Sequence, residues 1–406
     1  MKPLEDITIV ELGVYVAVPN ATRQLSDWGA TVIKVESPTG ERGRVGGAPL
    51  NLPIKPDCNP YFCISNSGKE MVCLDLKNPG GLAVMEDLLK KADVFASNYR
   101  YASLERMGLD YESLHKRFPK LVCAYFNGYG FEGPEKDRPG YDTTAFWSKA
   151  GILNHIREPG VVPHTPPGGI GDTAAASNMA AGILAALIHR DKTGEGTCVT
   201  SSLLAAGIWC NAVQITAGQD RQKNDRDEPI RAPISYKQWK NPFSHIYECK
   251  DGKMFYLIGG GGAKLHTTLK AIGLDDLTVD PRYADFKTMR QNSGPLYERM
   301  IELFKTKTAQ EWLELFDSLD APCEILLSNC DVTTDEQVLA NDYLANVTCP
   351  NGYEYLIPNS PVNFSCMEKP QTLHAHAIGE DTRKVLAGLG YTSEQIQDLS
   401  DRGIIK

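Results

Sequence analysis

The chain has 406 residues, 42% of them hydrophobic and 23% charged, and a net charge of −9 at pH 7. That length holds a large core and favours two domains over one, and the ordinary composition excludes disordered, collagen-like and coiled-coil classes. Acidic and basic residues are interspersed, which argues against a bulk nucleic-acid or anionic-membrane binder but leaves room for a local basic pocket.

The opening residues Met1 to Asp6 lack the apolar stretch of a signal peptide, and no run of eighteen apolar residues predicts a membrane span. The 11 cysteines are scattered without a CxxC pair. They read as reduced, mostly buried thiols of a cytoplasmic protein. Ile7 to Leu12 reads as a strand, Pro19 to Gly29 as a helix and Thr31 to Glu36 as a second strand, a unit that implies a parallel sheet. The turn between them, Gly13 to Pro19, lacks GxGxxG, so a dinucleotide fingerprint fails where it should stand. Residues 37–68, rich in Pro, Gly and Asn, read as a loop carrying Arg42 and Arg44. Strands at 71–76, 94–98 and 121–126 and helices at 81–92 and 111–118 continue the alternation of a doubly wound α/β sheet. Ligands of such sheets sit beyond the carboxyl ends of strands, here 13–18, 37–44, 98–107 and 127–142.

Next comes Pro166-Pro167-Gly168-Gly169-Ile170-Gly171-Asp172, opening a long small-residue helix. An Asp there reads either as a cap for the first-turn amides or as a carboxylate left open to a ligand by glycines. Residues 197–204 read as a strand running into a helix at 201–215, and the charged run from Gln219 to Glu228 as a linker or solvated helix end. Beyond it, 243–249 and 254–258 form a hairpin on an Asp-Gly turn, followed by Gly259-Gly260-Gly261-Gly262 and helices at 263–272, 294–305 and 308–318. The domains expected are 1–218, a linker at 219–225, a small α+β domain at 226–325 and a return segment at 326–406 that completes the first. The tail reads as two helices around the Gly390 stop, with a short helical stretch at 334–341 before them.

The eight histidines show no HExxH or other paired ligand spacing, so no metal is expected, and no GxSxG elbow is present. Gly259 to Gly262 reads equally as a phosphate cradle without its GK[ST] or as a tight turn. Arg42, Arg44, Arg100 and Arg106 follow strand ends, singly as surface residues, together as phosphate contacts.

The ordered series Val10-Glu11-Leu12, Gly29-Ala30-Thr31-Val32-Ile33-Lys34-Val35-Glu36, Asn66-Ser67-Gly68-Lys69, Asn98-Tyr99-Arg100, Leu104-Glu105-Arg106-Met107-Gly108, Gly128-Tyr129-Gly130, Gly171-Asp172 and Leu389-Gly390-Tyr391 resembles the family III CoA-transferases, the formyl-CoA transferase type, over nearly the whole chain. The resemblance implies Asp172 as a nucleophile that passes through a mixed anhydride and an aspartyl-CoA thioester. It implies CoA contacts or site-shaping roles for Val14, Tyr15, Arg44, Asn98, Arg106, Met107 and Tyr141, with Gly259, Gly260, Gly261 and Gly262 closing over the site. The implied fold is a Rossmann-like large domain plus a smaller domain in an interlocked-ring homodimer. Acyl-CoA and a carboxylic acid are the implied partners, with CoA thioester as substrate and no permanently bound cofactor, nucleic acid or membrane. Where formyl-CoA transferase has a Gln and a Lys, this chain has Val16 and Pro139, which disfavours a very small polar acid. The position of the racemase histidine is Tyr141, a poor base, which argues against the related acyl-CoA racemases. A CoA-binding protein without catalysis is the further alternative. Pro139 to Trp147 with Asn241-Pro242-Phe243 resembles the branch acting on (R)-2-hydroxy acids in amino-acid fermentation, whose apolar side chain Phe146 and Trp147 would line; core packing is the alternative for each.

Overall fold

The computed structural model describes residues 1–223, 235, 241–370 and 373–406. It divides into two compact units. The first comprises Met1–Asn154, His164–Arg226 and Glu336–Lys406; the second comprises His155–Pro163 and Asp227–Asp335. Much of 224–240 lies outside the described residues, including the last two positions of the expected linker and the start of the expected small domain.

In the first unit, alternating strands and helices run β1 (Thr8–Leu12), α1 (Ala17–Asp27), β2 (Thr31–Glu36), α2 (Pro60–Asn66), β3 (Glu70–Cys73), α3 (Pro79–Leu89), β4 (Val94–Ser97), α4 (Tyr101–Met107), α5 (Tyr111–Arg117) and β5 (Val122–Asn127). After the short α6 (Ile152–His155) come α7 (Ile170–Thr193), β6 (Cys198–Ser202), α8 (Leu203–Cys210) and α9 (Ala212–Lys223). The six strands form one sheet in the order β3-β2-β1-β4-β5-β6, with every pairing parallel. This order reverses between β1 and β4, and the crevice at that reversal is where open α/β sheets bind ligands. One core cluster packs α1 and α7 on one face of the sheet, and a second packs α3, α5 and the tail on the other. Helix α7 is long and apolar enough to cross a membrane by length and composition. Its Ala175, Ala176, Met179, Ala180 and Ile183 are buried in the first core, where small side chains allow close packing against α1.

The C-terminal segment adds α15 (Glu336–Ala340), the hairpin β10 (Leu344–Thr348) and β11 (Glu354–Pro358), α16 (Thr382–Gly388) and α17 (Ser393–Asp401). Leu386, Ile396, Ile404 and Ile405 are buried in the second core, and the Asp75 amide donates to the Ile404 carbonyl at 2.8 Å. The tail therefore completes the large unit.

The second unit holds an antiparallel sheet of β7 (Ser244–Glu248), β8 (Met254–Ile258) and β9 (Cys323–Ile325). Around it lie α10 (Leu265–Ala271), α11 (Phe286–Gln291), α12 (Ser293–Phe304), α13 (Ala309–Ser318) and α14 (Asn329–Val332). Its core is aromatic, centred on Tyr247, Phe255, Phe304, Trp312 and Phe316.

Four readings are corrected. Residues 37–68 are not a plain loop: Asn59 caps α2 by accepting from the Phe62 amide at 3.1 Å, and Pro60 opens the helix. The helix read at 201–215 is two, because β6 continues to Ser202 and α8 stops at Asn211, whose amide side chain bonds the Ala150 carbonyl. Residues 219–223 are the end of α9, which is the helix-end reading of that run rather than the linker expected at 219–225. The return segment does not begin at 326, since Cys323–Ile325 pairs with β8 and the compact second unit extends to Asp335.

Candidate active site

At the sheet reversal, the turn after β1 is pinned residue by residue. Asn98, after β4, accepts from the Val14 amide and donates to the Val14 carbonyl, both at 2.8 Å. The Tyr15 amide donates to Glu41 Oε2 at 3.2 Å. Tyr15 has φ 61, a left-handed conformation that a non-glycine residue holds only when its surroundings enforce it.

The enforcement comes from beneath. Lys34 Nζ donates to Glu11 Oε1 at 2.6 Å and to the Gly13 carbonyl at 2.9 Å. Lys69 Nζ donates to Glu11 Oε2 at 2.7 Å, to the Pro19 carbonyl at 2.8 Å and to Asn66 Oδ1 at 3.2 Å. Both ends of the turn thus hang on one buried carboxylate. Burial raises the Glu11 carboxyl, and the two lysines outweigh it and bring it down to about 2. Burial brings Lys69 down to about 7 despite Glu11.

Asp172 is the third residue of α7 and is half-buried. It does not cap its helix. That role falls to Asp142, brought from 27 residues upstream, whose Oδ2 accepts from the Gly169 amide at 2.7 Å. Among the described residues no hydrogen bond to the Asp172 carboxylate is found, so its oxygens face the crevice uncommitted. Burial first, then the charge of Asp142, pushes its carboxyl up to about 7. Burial also raises Asp142, against the pull of the Gly169 and Gly171 amides and the Trp147 indole; of these only the Gly169 bond has full hydrogen-bond geometry. Gly171 is obligatory: a Cβ there would lie 2.2 Å from Asp142 Oδ1 and 2.4 Å from the Phe146 ring.

Around this carboxylate, Tyr141 is exposed and meets the Tyr15 ring edge-on at 6.2 Å. Tyr61 on α2 has its hydroxyl pushed up by burial and then by the charge of Asp172. Asn20 Nδ2 donates to Thr173 Oγ1 at 3.1 Å, joining α1 to the first turn of α7. Neither Asp142 nor Tyr61 was singled out from sequence; Tyr141-Asp142 within a glycine-proline loop was the available signal. Phe146 is buried in the first core and Trp147 packs against it, on a π-helical stretch from Asp142 to Lys149.

Arg44 is bound to Glu36, with Nη2 to Oε2 at 2.6 Å, and stacks 4.0 Å above Phe62. Arg106 is exposed and bonded to Ser103, and Met107 packs against the second core. In the second unit, Gly259, Gly260 and Gly262 have φ of 142, 83 and 61, and a Cβ on Gly260 would lie 2.8 Å from Thr268. The run is a fixed turn after β8. Among the described residues no group of three or more His, Cys, Asp or Glu is placed to hold a metal ion.

The sheet has the strand order of a doubly wound α/β fold, lacks the dinucleotide fingerprint after β1, and places a half-buried, uncommitted carboxylate at the start of α7. Residues 4–382 match the model of CoA-transferase family III, and the chain belongs to that family, making it an acyl-CoA:carboxylate CoA-transferase. It is 33% identical over 404 residues to an (R)-2-hydroxy-4-methylpentanoate CoA-transferase of Clostridioides difficile, covering 99% of each chain. It is 33% identical over 395 residues to a cinnamoyl-CoA:phenyllactate CoA-transferase of Clostridium sporogenes, covering 97% of this chain and 95% of that one. A CAIB/BAIF family protein from Brucella suis has a similar structure, with TM-score 0.81 and 25% identity over 96% of this chain and 99% of that one. So does Rv3272 of Mycobacterium tuberculosis, with TM-score 0.80 and 25% identity over 94% and 98%.

Proposed function

We propose that the enzyme moves CoA from an acyl-CoA to an (R)-2-hydroxy acid with an apolar side chain, with Asp172 as the nucleophile. The observation that carries this reading is the half-buried Asp172 carboxylate, freed from capping by Asp142 and bearing no hydrogen bond among the described residues. Its oxygen attacks the thioester carbonyl and expels CoA thiolate, giving a mixed anhydride. The thiolate attacks the aspartyl carbonyl of that anhydride, releasing the donor acid and leaving an aspartyl-CoA thioester. The incoming carboxylate attacks the thioester, and the returning thiolate takes the new acyl group. Every acyl bond broken is matched by one formed, so thioester energy is kept from water. Desolvation that holds Asp172 near 7 also makes it the more nucleophilic once ionised.

Val14, Tyr15, Asn98 and Tyr141 form the CoA-facing wall, and Phe146 and Trp147 the apolar side of the acyl pocket. Arg44, Arg106 and Met107 shape or steer the nucleotide end, and the Gly259 to Gly262 turn shields the intermediates. The relatives acting on 4-methyl-2-hydroxypentanoate and phenyllactate support the apolar hydroxy-acid class. The functional form is an interlocked homodimer in the cytoplasm. The test is to incubate the enzyme with an acyl-CoA and trap with hydroxylamine. A hydroxamate on Asp172 by mass spectrometry is expected, and full transfer by Asp172→Ala would overturn the mechanism. A panel of 2-hydroxy acids compared with formate, oxalate and succinate tests the substrate class.

A further inference from the structure

Away from the crevice, two tight turns bring cysteines together. Cys58 closes a turn in which the Lys55 amide donates to the Cys58 carbonyl at 2.9 Å and the Cys58 amide to the Lys55 carbonyl at 3.1 Å. Cys349 opens the turn between β10 and β11, its amide donating to the Tyr353 carbonyl at 2.8 Å. Both are free thiols, 1% and 2% exposed. The Cys349 thiol points at the Cys58 sulfur with 2.8 Å between the two sulfurs. Carbon atoms in contact already stay ~3.5 Å apart, and sulfur is larger. Two thiolates on one tetrahedral zinc would be ~3.8 Å apart from their ~2.3 Å bonds, so the pair is too close for shared metal ligation. His374 completes the cluster. Its Nδ1 lies 3.9 Å from Cys349 Sγ and 3.3 Å from Cys63 Sγ, and its Nε2 lies 3.4 Å from the Pro56 carbonyl on the outer side.

We propose that Cys58 and Cys349 are a disulfide-forming pair, oxidised by a low-molecular-weight disulfide, that ties the turn preceding α2 to the β10–β11 hairpin. His374 takes the Cys349 proton. The Cys349 sulfur attacks the small disulfide and expels one small thiolate, which leaves with a proton. The Cys58 sulfur then attacks Cys349 Sγ of the mixed disulfide and displaces the second small thiolate, which takes the Cys58 proton. Two protein thiols and one small disulfide become one protein disulfide and two small thiols. Cys63 is not the partner: its sulfur accepts the Ala375 amide at 3.1 Å and sits against His374. Burial pushes the Cys349 thiol up to about 12, so bridging is slow and needs the imidazole or local opening. Since α2 carries Tyr61, the bridge fixes one wall of the crevice to the C-terminal segment; its formation does not depend on the identity of the nucleophile.

The test is to incubate the native, full-length protein with oxidised glutathione at pH 8, block remaining thiols with iodoacetamide, and map peptides by mass spectrometry. A Cys58–Cys349 linked peptide, two hydrogens lighter than the separate peptides and restored by dithiothreitol, is expected, with Cys63 alkylated. The oxidised protein should melt at least about 3 °C higher, since the bridge closes a very long loop. Cys58→Ser should abolish the linked peptide; if that variant misfolds, Cys349→Ala serves. Cys58 and Cys349 recovered separately alkylated or glutathionylated, or linked to Cys63, would overturn the proposal.

Discussion

Replacing Asp172 by Asn should abolish transfer and stabilise the protein, and the stabilisation should depend on pH. The native environment raises this carboxyl from 3.8 to about 7. Roughly three powers of ten in proton affinity, at 1.36 kcal/mol each, set a ceiling of about 4 kcal/mol on the folded-state penalty for ionising it. Solvent reaches its open side, so ~2 kcal/mol is the expected effect. The sign follows from which state ionises first. Below 3.8 both folded and unfolded chains are protonated and no penalty exists. Between 3.8 and 7 the unfolded chain ionises while the folded one does not, so stability falls as pH rises; above 7 the penalty is constant. Asp172→Asn carries no such penalty. Urea unfolding followed by tryptophan fluorescence should therefore show the variant ~2 kcal/mol more stable at pH 8 and under ~1 kcal/mol more stable at pH 5. Wild-type kcat/KM should rise with pH through about 7 as the carboxylate forms, provided the substrates do not titrate there. A variant less stable than wild type at pH 8, or a difference independent of pH, would refute the claim that Asp172 is held uncommitted against desolvation.

Glu11→Gln should lose roughly 3–5 kcal/mol, because it leaves Lys34 and Lys69 buried without their shared anion. Lys69→Met should be much milder and should flatten the pH profile of stability. Lys69 is held down to about 7, so the wild type gains stability as pH climbs from 7 toward 10.5, a gain the variant lacks. Arg44→Ala strands the buried Glu36 carboxylate and should cost about 3 kcal/mol of stability in urea, which a residue serving substrate alone would not. Gly171→Ala drives a methyl into Asp142 and Phe146 and should lower kcat by roughly 10²-fold or more in a chain that still folds by circular dichroism.

The strands of the parallel sheet and most helices of the large unit were legible because parallel strands buried on both faces read as apolar runs and helices carry Pro starts and Gly stops; α4, read only as the segment after a strand end, was not. What escaped were elements defined by partners distant in sequence. Helix α2 is only seven residues long, too short to show a helical period, and its Cys63 and Phe62 are buried only once the β10–β11 hairpin lies against them. That hairpin has no strong alternation; its register rests on the Cys349 to Tyr353 turn. The two readings of Asp172 could not be separated locally because the deciding group is Asp142, whose proximity to Gly169 is a tertiary fact. Arg44 read as a surface or phosphate-binding residue because its pairing with Glu36, the last residue of β2, is a tertiary contact.

The missing glycine fingerprint now has a physical account. In dinucleotide-binding sheets, glycines let the turn after the first strand bend tightly and approach a pyrophosphate. Here the same turn carries Val14, Tyr15 and Val16, and its bend is imposed by charge. Lys34 holds the Gly13 carbonyl, Lys69 holds the Pro19 carbonyl, Glu11 ties the two ammoniums, and Glu41 takes the Tyr15 amide. Paired side by side on β1 and β2, Glu11 and Lys34 are invisible as a site in sequence, since each is a charged residue set among apolar neighbours on its own strand. Their burial becomes intelligible once the turn above them must hold a left-handed tyrosine beside the reactive carboxylate. A glycine turn would bring backbone amides to a phosphate; a turn bearing side chains on a rigid ionic base brings a wall to a thioester. This predicts that glycine at Tyr15 will relieve the backbone yet weaken acyl-CoA binding, measured as a raised KM with the folded state at least as stable.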